Sequence, residues 1–190
     1  MIPYDLLYDS ILDFKRAAVL VEEEIRRHNI RYDSNDPVQG MNGRKHHTMW
    51  VSMKAVSHFN LGTSLELMLK LLLVRNRRTE PHHHKLTQLY EALSEKDRKQ
   101  LESKYQASRR KFDNFTLLMF NSPGSEPPPD TRSIGRLKGF LEYLDQDVMI
   151  SKMRYSWEQA RDGDWRYYLD DISVFVELIE KVMNDIPRTQ

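Results

Sequence analysis

The feature that most constrains the fold of this chain is a helical pattern in its middle that is apolar around most of its circumference. On a helical wheel its apolar side chains form one broad arc, comprising Leu61, Leu65, Leu67, Met68, Leu69, Leu71, Leu72 and Val74. The polar residues Thr63, Glu66, Lys70 and Arg77 fall close to a single line. A helix of this kind needs protein on most sides, so the pattern predicts a central helix from about His47 to Arg77.

The chain before this helix also has a helical period, which predicts a first helix from about Asp5 to Arg27. Its recurring apolar positions are Leu6, Leu7, Ile11, Phe14, Ala18, Val21 and Ile25. Its charged residues, expected on the exposed side, are Glu22, Glu23, Glu24, Arg26 and Arg27.

Caps, breakers and apolar spacing predict four more helices, over about 86–93, 95–119, 134–144 and 165–182. Ser94, with Asp97 three residues later, is the expected N-cap of the second of these. Tyr168 and Leu169 are expected on the inward face of the last, and no strand period is found. The sum is an all-α fold, an up-and-down bundle of roughly five or six helices in a single domain over 1–190, with flexible loops near 31–45 and 121–131.

Composition excludes several classes of protein. The chain has no cysteine, which rules out disulfides and thiolate zinc sites and fits a reducing compartment. It contains no apolar run long enough to span a membrane, so we expect a soluble cytoplasmic protein with no membrane partner. Adjacent histidines cannot easily present several rings to one ion, so the run His82, His83 and His84 predicts no metal site, and no cofactor motif is present.

The charge of the chain is unevenly distributed. Residues 70–111 contain 12 Lys or Arg and 5 Asp or Glu, an excess of +7, whereas the whole chain carries +1, which leaves −6 for the remainder. Such a region can attract RNA or nucleotide phosphate, because Lys and Arg bind phosphate without reading a sequence. The alternative is that these charges only solvate helix surfaces.

Glu66 and Lys70 carry two interpretations. They are four residues apart in the order that favours an ion pair on a helix, which contributes about 0.3–0.5 kcal/mol when exposed. The structural interpretation is therefore a stabilising pair on the polar line. The functional interpretation is that Lys70 faces a ligand.

The segment from Gly62 to Leu73, followed by His84-Lys85-Leu86-Thr87-Gln88-Leu89, resembles the HEPN superfamily. The resemblance covers about 35 residues and rests on a helix with a small residue, Glu and Lys, and on a His-x-Leu-x-x-Leu step that opens a short helix. It implies an up-and-down bundle of four or five helices, a homodimer, and a role in RNA processing, phage defence or a toxin–antitoxin system with a partner antitoxin protein.

Many HEPN proteins are metal-independent endoribonucleases that use an Arg and a His, four to six residues apart, near the start of a late helix. The His acts as acid or base and the Arg stabilises charge on phosphate. In this chain no His follows His84, so the position is empty and we lean towards a non-catalytic protein. A displaced pair with the family's spacing would draw on the remaining catalytic candidates, which are Arg77, Arg78, His82, His83 and His84.

The segment 152–158 combines cations with aromatic rings, and Arg154 and Tyr155 could stack on a base or face a phosphate. The alternative is that these aromatic residues anchor a core or an interface. The predicted phosphate-binding residues are Lys70, Arg75, Arg77, Arg78, Lys85, Arg154 and Tyr155. We therefore expect an RNA- or nucleotide-binding HEPN-like protein, with a displaced-pair endoribonuclease and a non-catalytic dimeric scaffold as the alternatives.

Overall fold

The computed structural model describes residues 3–28, 41–76, 84–112, 117–120, 135–146, 166–169 and 171–188. The helices within these ranges are α1 (Tyr4–Arg27), α2 (Met41–Arg75), α3 (Leu86–Ala92), α4 (Glu95–Lys111), α5 (Leu137–Gln146) and α6 (Ser173–Asn184). Two short strands, β1 (Leu117–Phe120) and β2 (Arg166–Leu169), pair antiparallel with Leu117 opposite Leu169. The predicted all-α helical bundle is confirmed, with this strand pair as an addition.

The first two helices form an antiparallel pair joined by hydrogen bonds from serine side chains to backbone carbonyls. Ser57 Oγ of α2 donates a hydrogen bond to the Ala18 carbonyl of α1, and Ser64 Oγ donates one to the Ile11 carbonyl at 2.8 Å. A side chain as short as serine reaches a neighbouring backbone only where the two helices nearly touch. Ser57 and Ser64 thus form part of a polar seam between α1 and α2 that the apolar pattern of α2 did not reveal.

The central position of α2 follows from its packing against α1, α3, α6 and the strand β2. Most of its predicted apolar arc is buried, with Leu65, Met68, Leu69 and Leu71 almost inaccessible to solvent, whereas Leu67 and Val74 are half-buried. At the other side of the core the Phe140 ring of α5 stacks on Phe175 of α6, with centroids 3.9 Å apart. α2 therefore has neighbours on several sides, as its broad apolar arc requires.

Some predicted details of the first two helices are wrong. Glu22 is buried rather than exposed, and Leu6 is 58% exposed although it was placed among the apolar positions. The second helix begins at Met41, so the end of the loop predicted near 31–45 is helical. The other residues of that loop, and the predicted loop 121–131, lie outside the described residues.

The strand pair replaces two predicted helix ends. The fourth helix ends at Lys111 rather than near Met119, and Met119 lies in β1. The last helix begins at Ser173, and Tyr168 and Leu169 lie in β2. Tyr, Leu, Phe and Met suit a half-buried strand as well as a helix, so pairing across the two segments decides their conformation. No helix of the described ranges combines the length and apolarity needed to cross a membrane.

Candidate functional site

The best-defined polar site of the described residues is centred on Glu66 in α2. Its Oε1 atom lies 2.8 Å from Nζ of Lys70 and 2.9 Å from Nδ1 of His84. The predicted Glu66–Lys70 ion pair is therefore confirmed, and His84 joins the same carboxylate oxygen. The Glu66 side chain is 8% exposed and that of Lys70 is 12% exposed, whereas the His84 side chain is 78% exposed.

This geometry fixes the orientation of the His84 ring. An ionised carboxylate only accepts hydrogen bonds, so Nδ1 of His84 is the donor and carries a hydrogen. The other nitrogen, Nε2, is then the ring atom left for chemistry at the exposed face. A carboxylate that accepts a hydrogen bond from Nδ1 is one of the common means by which a protein fixes the tautomer and the orientation of a histidine ring.

Asp145 of α5 holds the chain directly after His84. Its Oδ1 accepts a hydrogen bond from the Leu86 amide at 2.8 Å, and its Oδ2 accepts bonds from the Thr87 amide at 2.8 Å and from the Thr87 hydroxyl. Lys85, the N-cap residue of α3, makes no side-chain cap itself. A carboxylate from another helix thus satisfies the first amides of α3, and it fixes where His84 and Lys85 lie. We call Glu66, Lys70, His84, Lys85 and Asp145 the His84 cluster.

The structure brings some of the predicted site residues together and separates another. Lys70, His84 and Lys85 belong to the His84 cluster, and Lys85 is exposed. Arg75 is also exposed but lies about 140° around the helix from Lys70, since successive residues turn by about 100°. The candidates Arg77, Arg78, His82, His83, Arg154 and Tyr155 lie outside the described residues.

The excess of positive charge in residues 70–111 is partly compensated by the last helix. Lys104 of α4 pairs with Asp185 at 2.7 Å, and Lys111 pairs with Glu177 at 2.8 Å. The hydrogen bonds from Lys111 and Lys181 hold the pKa of Glu177 below its ordinary value. Lys104 and Lys111 therefore link α4 to α6. The positive charges of α4 consequently do not form one uncompensated face.

A second polar cluster lies between α1 and α2. The Glu22 Oε2 atom is 2.7 Å from Nζ of Lys54, and both side chains are buried. His58, one turn after Lys54, is also buried, with Nδ1 2.6 Å from the Lys54 carbonyl. Burial lowers the pKa of His58 to about 3; the nearby Lys54 charge acts in the same direction, and the hydrogen bond opposes both.

Sequence reasoning missed Asp145 and this second cluster for different reasons. Glu22 recurs four residues after Ala18 and three before Ile25, so the helical period already placed it on the buried face, and its charge led to the opposite assignment. Asp145 gives no comparable signal, because its partners Leu86 and Thr87 are about 60 positions away.

In the described part of the chain no group of three or more His, Cys, Asp or Glu could hold a metal ion.

Comparison of the chain with models of known protein families, with curated proteins and with solved structures found no match.

Proposed function

We propose that this chain is a HEPN-like cytoplasmic protein that binds RNA or nucleotide phosphate, with the His84 cluster as the contact for a phosphate group. The observation that carries the proposal is the bond between Nδ1 of His84 and the buried Glu66 carboxylate. It holds an exposed imidazole in one orientation, next to the exposed Lys85. A side chain that is ordered before its ligand arrives loses little entropy on binding.

The sequence around the cluster supports a ligand that extends beyond one phosphate. His84 lies at the end of the segment containing Arg77 and Arg78, and Asp145 precedes Arg154 by nine residues. Both basic segments therefore lie close to the cluster along the chain, one before α3 and one after α5. We propose that Arg77, Arg78, Arg154 and Tyr155 bind neighbouring phosphates or bases of the same strand.

The proposal is tested by titrating the protein with a short single-stranded oligoribonucleotide at several salt concentrations. Affinity should fall steeply with salt, because bound cations displace counterions from the phosphates. His84→Ala should weaken binding at least several-fold. The matched control is His28→Ala, since His28 is also an exposed histidine whose ring contacts a glutamate, Glu24, but lies at the end of α1. Absence of binding even at low salt would contradict the proposal.

The same observation favours a second candidate, a metal-independent endoribonuclease. A carboxylate at Nδ1 leaves Nε2 as a possible proton acceptor for a ribose 2′-hydroxyl, and Arg77 or Arg78 would stabilise charge on the phosphate. In that case RNA is cut in the presence of a chelator, and His84→Ala abolishes cleavage. Intact RNA after long incubation of the unaltered protein with varied sequences would exclude this candidate and leave the binding proposal standing.

A homodimer and an antitoxin partner are part of the same proposal, and both follow only from the resemblance to HEPN proteins. Sedimentation of the purified chain tests the first directly. Co-purification with the products of neighbouring genes tests the second.

A further inference from the structure

Apart from the histidine ring, the His84 cluster contains as many negative groups as positive groups. Glu66 and Asp145 supply two carboxylates, and Lys70 and Lys85 supply two ammonium groups. The cluster is therefore neutral when His84 is neutral, and it becomes positive only when the ring is protonated. A proton on the ring therefore adds one positive charge at the place where we expect the phosphate.

The geometry decides where that proton must go. Nδ1 of His84 already holds a hydrogen directed at Glu66 Oε1, so a second proton can only bind at Nε2. A phosphate oxygen accepts hydrogen bonds, and an unprotonated Nε2 is also only an acceptor. The two atoms therefore cannot form a hydrogen bond with each other. A protonated ring, by contrast, donates from Nδ1 to Glu66 and from Nε2 to phosphate, so that it lies between two anions.

The charged groups around the ring are known from the contacts of Glu66. Its Oε1 atom lies 2.9 Å from Nδ1 of His84 and 2.8 Å from Nζ of Lys70, so the carboxylate that holds the ring is already paired with one ammonium group. Lys85 follows His84 in the chain, and Asp145 of α5 binds the amides of Leu86 and Thr87 at the start of α3. An added phosphate is then an uncompensated anion, and it tips the balance towards the charged ring.

We propose that phosphate binding at the His84 cluster is coupled to the uptake of one proton from solvent by Nε2 of His84, an inference that rests on the proposed RNA or nucleotide binding. The proton adds to the Nε2 lone pair and no covalent bond breaks. The neutral imidazole becomes an imidazolium that donates its new hydrogen to a phosphate oxygen. The site is therefore a pH-gated phosphate site, which binds more tightly as the medium becomes more acidic.

The test is calorimetric titration with the same short oligoribonucleotide, in two buffers that differ in their enthalpy of ionisation. At a pH where the free ring is neutral, the unaltered protein should take up close to one proton for each strand bound. Affinity should fall by up to about tenfold for each unit of rising pH. His84→Asn, which cannot be protonated, should bind more weakly with no proton uptake from this site, and His28→Asn should behave as the unaltered protein.

A second measurement does not depend on RNA. Two-bond proton–nitrogen correlation spectra of the free protein should show His84 with its hydrogen on Nδ1, and Glu66→Gln should weaken that preference. A hydrogen on Nε2 in the free protein would overturn the inference. Steeply salt-dependent binding without proton uptake, or with the same uptake in His84→Asn, would overturn it while leaving the proposed function intact. Failure to bind RNA at any pH would instead remove the proposed function itself.

Discussion

Glu22 and Lys54 form an ion pair in the interior of the α1–α2 seam, with 2.7 Å between Oε2 and Nζ. Neither side chain is more than 4% exposed. The second carboxylate oxygen of Glu22 accepts no hydrogen bond from any described residue. A buried pair that is only partly satisfied is expensive to break, because removal of one partner leaves a charge without water.

The first prediction concerns this pair. Glu22→Leu and Lys54→Met should each lower the free energy of unfolding by about 3–5 kcal/mol, since each removes one partner of a buried ion pair. The double variant should be more stable than either single variant, because it removes both charges and replaces them with apolar groups. Urea denaturation of the three variants provides the double-mutant cycle.

The control for that cycle is the exposed pair between Lys99 and Glu95 on α4, whose side chains are 77% and 73% exposed. Lys99→Met should leave the unfolding midpoint almost unchanged, because water screens such pairs. Equal losses for Lys54→Met and Lys99→Met would show that burial does not set the cost at Lys54.

The second prediction concerns pH and the buried His58. Its pKa is lowered from 6.5 to about 3 in the folded protein, so the unfolded chain binds a proton that the folded chain excludes. The stabilising contribution of the neutral ring is complete above pH 6.5 and is lost as the pH falls towards 3. Between pH ~7 and ~5 the unfolding free energy should fall by about 2 kcal/mol from this group alone.

His58→Asn should flatten this pH dependence, because asparagine keeps a donor near the Lys54 carbonyl but does not titrate. The measurement is urea denaturation of both proteins across the same pH range. His28→Asn serves as the control for the loss of a histidine, since the His28 side chain lies at the end of α1 and is 56% exposed. Parallel profiles for the unaltered protein and His58→Asn would refute the assignment.

The third prediction concerns Asp145. Asp145→Ala removes the acceptor for the Leu86 and Thr87 amides, which should cost about 0.5–2 kcal/mol, as for other helix caps. Because His84 and Lys85 precede these amides directly, RNA affinity should fall as well. Binding isotherms and urea denaturation of the same variant measure the two effects.

Glu102→Ala is a matched control for Asp145→Ala. Glu102 of α4 accepts a hydrogen bond from the Leu137 amide at 3.0 Å, so it caps α5 from another helix in the same way. Leu137 is eight residues from Asp145, or about 12 Å along α5. Glu102→Ala should therefore reduce stability comparably without weakening RNA binding, and an equal loss of affinity in both variants would mean that Asp145 has no specific role at the site.

The parts of the fold that the sequence predicted are those set by local periodicity. The apolar arc of α2, the Ser94 cap of α4 and the Glu66–Lys70 pair all depend on residues within one or two turns of each other. The strand pair was missed because its partners are distant in the sequence: Met119 pairs with Tyr167, 48 positions away. Strands of only four residues are also too short to show a clear two-residue period.

For the candidate site as well, the sequence predicted individual residues but not the contacts between distant segments. Lys70, His84 and Lys85 were identified from their pattern, whereas the contact between Glu66 and His84 depends on how the chain returns to α2 after it ends. Asp145 depends on the packing of α3 against α5, which no spacing within one helix encodes. Contacts between distant segments therefore decided the chemistry of the site, although local patterns decided its elements.

The fourth prediction separates the His84 cluster from the cations of α4. Lys85 is exposed beside His84, and Lys85→Gln should lower the slope of log affinity against log salt concentration by about one, because one fewer counterion is released on binding RNA. Arg110 is exposed near the end of α4 and forms no ion pair with a described acidic residue. Arg110→Gln removes the same charge from the protein as a whole, yet it should leave the slope unchanged because the residue lies outside the cluster. Equal changes of slope in the two variants would indicate that RNA responds to total charge rather than to this site.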